Sequence, residues 1–158
     1  MFRVILKYYY IKYFIKQVSY WAVSNGKSGI LVFLLFLNFN TISIMLGTPE
    51  LKIVIAHLGH PWERDTIVLI RKQPNIYADI SALYYRPWQF YNSLRLAKEY
   101  GVWDKLLFGT DYPATTVEST IKGLYSICEL AKKANLPPIE EKEVESLINI
   151  DSLKLLIF

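Results

Sequence analysis

The sequence predicts an α/β fold in which parallel strands alternate with helices. Three observations carry that prediction. Short apolar runs recur at 51–56, 75–81 and 105–109, the first of them β-branched, separated by helical patterns of about ten to twenty residues. Two of the runs stop abruptly at polar turns, His57-Leu58-Gly59-His60-Pro61 and Gly109-Thr110-Asp111-Tyr112-Pro113. The first and last runs are apolar almost throughout, the pattern of strands covered on both faces.

Taken in order, the chain opens with a segment unlike the rest. Residues 1–49 hold Arg3, Lys7, Lys12, Lys16 and Lys27 and no acid, whereas 50–158 carry thirteen Lys and Arg against fourteen Asp and Glu. The net charge of +4 therefore belongs to the leader, and it gives no argument for a nucleic-acid-binding domain. Lysines among aromatics over 1–27 resemble an interfacial amphipathic segment. The apolar run 29–46 reaches the lower edge of a membrane-spanning helix, although Asn38, Asn40, Thr41 and Ser43 fill its second half. The excess of Lys, Tyr, Ile, Phe and Asn equally suits a leader of foreign origin, joined near Thr48-Pro49. Residues 1–48 form this leader, and we expect 1–46 to lack a stable packing relationship with 49–158, as either a separate helix or a poorly defined segment. A true strand in the leader is the remaining reading.

From Pro49 onward the pattern is regular. Strand 51–56 leads to a helix over 63–72, with Thr66, Ile67 and Ile70 on one face, and Gln73-Pro74-Asn75 stops it. Strand 75–81 follows, then a helix over 88–100 carrying Tyr91, Leu94 and Ala97, with Gly101 where a C-terminal cap belongs. Strand 105–109 leads to a helix over 115–134 whose apolar stripe reads Val117, Ile121, Leu124, Cys128 and Leu130. After the loop 135–138, a last helical region over 140–157 breaks near Asn149-Ile150-Asp151, and Glu140, Glu141, Glu143 and Glu145 suit its dipole. A length of 158 residues, 53% of them hydrophobic, supports one domain with a substantial core. The single Cys128 excludes an internal disulfide, suits a reducing compartment and reads as a structural thiol.

Chemistry concentrates at two strand ends. Parallel α/β sheets place their sites outside the carboxyl ends of the strands, where His57 and Asp111 fall. Imidazole and carboxylate both ligate zinc or manganese, so the pair suits a divalent-metal centre. The structural alternative makes Asp111 a helix cap and His57 a hydrogen-bonded core histidine. Asp79 either orients a ligand or bonds backbone donors of its own loop, and Ser81 ends the same strand. His60 reads as a solvated turn residue.

With these residues in hand, the chain from Pro49 to its end resembles the C-terminal part of the amidohydrolase-related (amidohydrolase 2) family of metal-dependent hydrolases and decarboxylases. The matching pieces are Ile55-Ala56-His57-Leu58-Gly59, Asn75-Ile76-Tyr77-Ala78-Asp79-Ile80-Ser81 and Phe108-Gly109-Thr110-Asp111-Tyr112-Pro113, with Asp151-Ser152-Leu153-Lys154-Leu155-Leu156 similar to the closing helix. The resemblance implies part of a TIM-like (β/α) barrel, the equivalent of strands six to eight, over 49–158. It implies that His57 and Asp111 are catalytic and bind a zinc or manganese ion, with Tyr112, Pro113 and Trp62 around the mouth. It implies hydrolysis or non-oxidative decarboxylation of a small carboxylated or cyclic molecule by a cytoplasmic domain. The family's His-x-His is missing, since His57 and His60 are the two histidines present, and this leaves open whether the chain is itself an enzyme. We expect a fragment inactive alone. The alternatives are a non-catalytic fragment anchored to a membrane through 29–46 and a truncated, non-functional product. The sequence gives no oligomeric state.

Overall fold

The computed structural model describes residues 52–152 and two strands of the leader. Five strands form one sheet in sequential order: β1 (Ser19–Trp21), β2 (Val32–Leu34), β3 (Ile53–Ile55), β4 (Ile76–Asp79) and β5 (Leu106–Leu107). The β1–β2 pair is antiparallel, and every pair from β2 to β5 is parallel. Helices α1 (Glu63–Lys72) and α2 (Pro87–Glu99) cross over from β3 to β4 and from β4 to β5. Helix α3 (Val117–Lys133) follows β5, and α4 (Glu141–Ile148) packs on α3. This is the α/β order the sequence predicts, a run of consecutive βα units from a TIM-like barrel.

The leader departs from the expectation of a helix. Val32–Leu34 is a strand, with Val32 opposite Ile53 and Leu34 opposite Ile55. It thus pairs with β3, as the alternative reading of a strand in the leader has it, and it occupies part of the run 29–46 considered as a membrane span. The physical reason lies in β3, whose second edge would otherwise present unpaired N–H and C=O groups. The rest of 1–48 lies outside the described residues. Among the described residues no helix is long and apolar enough to cross a membrane.

All three residues of β3 are buried, as the apolar run requires. Ile67 and Ile70 of α1, Phe90, Leu94 and Ala97 of α2, and Leu124 and Ile127 of α3 complete one core. The stripe of α3 differs from the sequence reading. Thr120, Leu124, Ile127 and Ala131 are buried, whereas Val117 is exposed and Ile121 and Cys128 lie half-buried. Gly123 explains the rotation: a Cβ there would stand 2.4 Å from Tyr84 Cβ, so the helix approaches the β4–α2 loop on its glycine side. Thr116 caps α3 by accepting from Ser119 N–H at 3.2 Å. At the other end, Tyr91 donates to Pro137 O and Lys98 pairs with Glu143 at 2.7 Å, fixing α4 against α2.

Candidate active site at the carboxyl ends of the strands

Because β3, β4 and β5 are parallel neighbours, the residues that leave them emerge along one edge of the sheet. His57 follows β3 by two residues, Asp79 ends β4, and Asp111 follows β5 by four. Gly109 keeps the third exit close to the second. A Cβ on it would lie 3.4 Å from Ser81 Cβ and 3.6 Å from Asp79 Cβ.

His57 stands on an unusual turn. Three consecutive residues, His57 (φ 54°), Leu58 (φ 52°) and Gly59 (φ 71°), occupy the left-handed region. Each non-glycine residue there costs about 1–2 kcal/mol. Full burial of Leu58 and a set of hydrogen bonds to β4 offset that cost. Gly59 is obligatory here, since a Cβ would fall 2.0 Å from Thr66 Oγ1.

Asp79 organises the set. The residue is buried, 8% exposed, and its Oδ1 accepts from His57 N–H at 3.2 Å, from Ser81 N–H at 3.0 Å and from Ser81 Oγ. The reading in which Asp79 bonds donors of its own loop is realised by one oxygen, which also holds the Ser81 hydroxyl that contacts His57. His57 Nδ1 lies 2.8 Å from Ser81 Oγ and 3.2 Å from Ser81 O. The carbonyl can only accept, and the serine proton is committed to Asp79, so the imidazole proton belongs on Nδ1. In the neutral ring this leaves the lone pair on Nε2, the state a metal or a proton-donating ligand requires.

Asp111 is held differently. It has φ 66°, its residue is exposed, and its carbonyl accepts from Ala114 N–H at 2.9 Å and Thr115 N–H at 3.3 Å. Thr115 hydroxyl donates to Thr110 O. The backbone fixes this loop, and the carboxylate projects from its surface. The cap of α3 is Thr116, so the capping role considered for Asp111 is filled by another residue.

The large exposed apolar side chains among the described residues also gather at this edge. Trp62, Tyr85, Trp88, Tyr112 and Val117 all lie on the segments that leave β3, β4 and β5 or on the helix turns they enter. A groove of about 430 Å³ between Trp103, Leu147 and Ile150 lies at the opposite end, where the chain enters β5. Among the described residues no three His, Cys, Asp or Glu side chains converge into a metal-binding group. The donor types fit a divalent cation, and the number gathered falls short of the three protein ligands of a catalytic zinc.

The parallel run from β2 to β5 with helices crossing between its strands defines the class: consecutive β/α-barrel units. Residues 37–147 match the family model described as amidohydrolase, more than half of the 158 residues, and the chain belongs to that family. No curated protein matches it. Similar solved structures include a dihydroxybenzoic acid decarboxylase from Polaromonas sp. JS666 with bound manganese and the inhibitor 2-nitroresorcinol. It is 16% identical, with a TM-score of 0.47, over 72% of this chain and 36% of that one. A TIM-barrel protein from Bordetella bronchiseptica is 21% identical, with a TM-score of 0.48, over 81% and 45%. An amidohydrolase from Burkholderia multivorans with bound zinc is 15% identical, with a TM-score of 0.46, over 72% and 46%. The chain thus spans between a third and a half of the length of these structures.

Proposed function

We propose that residues 49–158 supply one side of a metal-dependent amidohydrolase centre, with His57 and Asp111 as its ligand or acid–base groups. The reaction is hydrolysis or non-oxidative decarboxylation of a small carboxylated or cyclic substrate. The observation that carries this reading is the His57–Ser81–Asp79 chain, which engages Nδ1 and leaves Nε2 of the neutral ring as the nitrogen that can accept. A histidine needed only for packing has no use for that polarity. A zinc or manganese ion held there would lower the pKa of a bound water and polarise a substrate oxygen. The chain's own residues do the remaining work. Asp79 and Ser81 hold the imidazole, Asp111 offers a second donor, an oxygen, and Tyr112 with Trp62 wall the mouth.

Zinc titration against a chromophoric chelator tests the reading. With two protein donors we expect weak binding, lowered at least about tenfold further by His57→Ala and by Asp111→Asn. Binding that neither substitution changes would remove both residues from the centre.

A further inference from the structure

The turn that carries His57 holds three consecutive left-handed residues, His57, Leu58 and Gly59. Such a run relaxes unless its surroundings over-determine it, so it has to be held at both ends. At the entry, Asp79 at the end of β4 accepts from His57 N–H at 3.2 Å. At the exit, His60 N–H donates to His57 O and Trp62 N–H to Gly59 O, each at 2.9 Å. These two bonds close the turn on itself and leave the placement of its exit to side chains.

His60 supplies that anchor. Its Nδ1 lies 2.7 Å from Glu63 Oε1, and Gln89 Nε2 donates to the same oxygen at 2.8 Å. An ionised carboxylate can only accept, so the ring proton sits on Nδ1. Gln89 Nε2 stands 3.0 Å from that nitrogen because both give to one oxygen. Glu63 opens α1 and is buried, and Gln89 lies in the first turn of α2. Burying a carboxylate costs desolvation, and holding a glutamine in one rotamer costs entropy. A solvated turn residue needs neither. The topology gives the arrangement a use. Helix α2 follows β4, the strand that ends at Asp79 and leads to Ser81. One βα unit therefore grips the His57 turn twice, from its strand at the entry and from its helix at the exit.

We propose that Glu63 and Gln89 are positioning residues for His57. Through the His60 ring they lock the exit of its turn to the β4–α2 unit, so that the imidazole keeps the Ser81 contact that leaves Nε2 to a ligand. The inference rests on reading His57 as a group of the centre, but its first readout needs no metal. Ring ¹H–¹⁵N correlations of the metal-free full chain, with zinc titration beside them, test it. Gln89→Glu sets one carboxylate against another. It should shift the His57 Nδ1–H signal, speed its exchange with water at least about tenfold and lower zinc affinity severalfold. Adding Glu63→Gln to Gln89→Glu reverses the polarity of the pair, amide to carboxylate, and should restore all three. Gln89→Ala should act in the same direction with smaller size, and it keeps the test open if the doubled charge prevents folding. Tyr91→Phe, which removes the bond from the same helix to Pro137 O, should lower stability and leave the His57 signal and zinc affinity unchanged. A His57 signal that neither Gln89 substitution moves would overturn the proposal. So would one that Tyr91→Phe moves as far, since general loosening of α2 would then account for it. Failure of the metal centre would show instead as zinc binding indifferent to His57→Ala.

Discussion

The two strand-end loops that carry the candidate ligands are built on opposite principles. Both place a non-glycine residue in the left-handed region, His57 in one and Asp111 in the other. The turn after β3 is laced to β4 by side chains, and its histidine is fixed in rotation and in tautomer by Ser81 and Asp79. The loop after β5 is closed by its own backbone, with Asp111 exposed and Tyr112 81% exposed. One candidate ligand is therefore positioned from beneath, by packed neighbours. The other has a position but little restraint on its side chain. Positioning from beneath makes stability and function inseparable at β3 and separable at β5.

The largest expected effect would break the β3 side of this comparison. Gly59→Ala combines a positive φ with a clash against the buried Thr66, and should cost about 3 kcal/mol in urea unfolding. A loss below about 1 kcal/mol would show that the turn is far more plastic than its contacts imply. Next, Asp79→Ala should cost about 2 kcal/mol, because it strands buried donors of His57 and Ser81. Asp111→Asn should change stability by less than about 0.5 kcal/mol while lowering zinc affinity. Equal costs at the two positions would erase the distinction. A smaller effect sharpens it: Ser81→Ala should lower zinc affinity severalfold and stability with it, because it removes the hydroxyl between Asp79 and the ring and leaves Nδ1 the Ser81 carbonyl alone. Chain supplied with zinc should show no turnover of amides, lactones or aromatic acids. Turnover abolished by Asp111→Asn would show that two donors suffice.

The smallest expected effect lies away from the mouth. Burial pushes the Glu143 carboxyl up, but hydrogen bonds from Lys98 and Glu140 N–H, with the Lys98 and Lys142 charges, bring it below its usual value. A lowered folded-state pKa stabilises above the unfolded value of about 4.3 and is lost as pH falls through the folded one. Glu143→Gln should therefore flatten the acid limb of the stability profile slightly below about pH 4, as a thermal melt series would show. The His57 ring signals should not respond to that substitution.

Much of this architecture was legible before any coordinates. The 63–72 helix is found as read, because Gln73-Pro74-Asn75 stops it unambiguously. The strands are shorter than their apolar runs, 53–55 within 51–56 and 106–107 within 105–109, since pairing ends where the turns begin. The α3 stripe was misread by a partial turn because Gly123 carries no hydropathy signal, yet it alone permits the approach to Tyr84. The leader was misread more deeply. An isolated apolar run looks alike as helix or strand, and the partner edge of β3 decides for the strand at Val32–Leu34.

What the sequence by itself determined is the order of elements, the parallel sheet and the residues that stand at its carboxyl edge, since periodicity and turn chemistry are local. Only the tertiary structure decided what those residues can do. His57 acquires its tautomer from a serine 24 positions away, and Glu63, which accepts at the His60 ring, is fixed by a glutamine 26 positions away. Hydrogen bonds between neighbouring βα units depend on strand register and helix placement. A sequence carries these as the sum of many weak packing preferences, with no motif of their own.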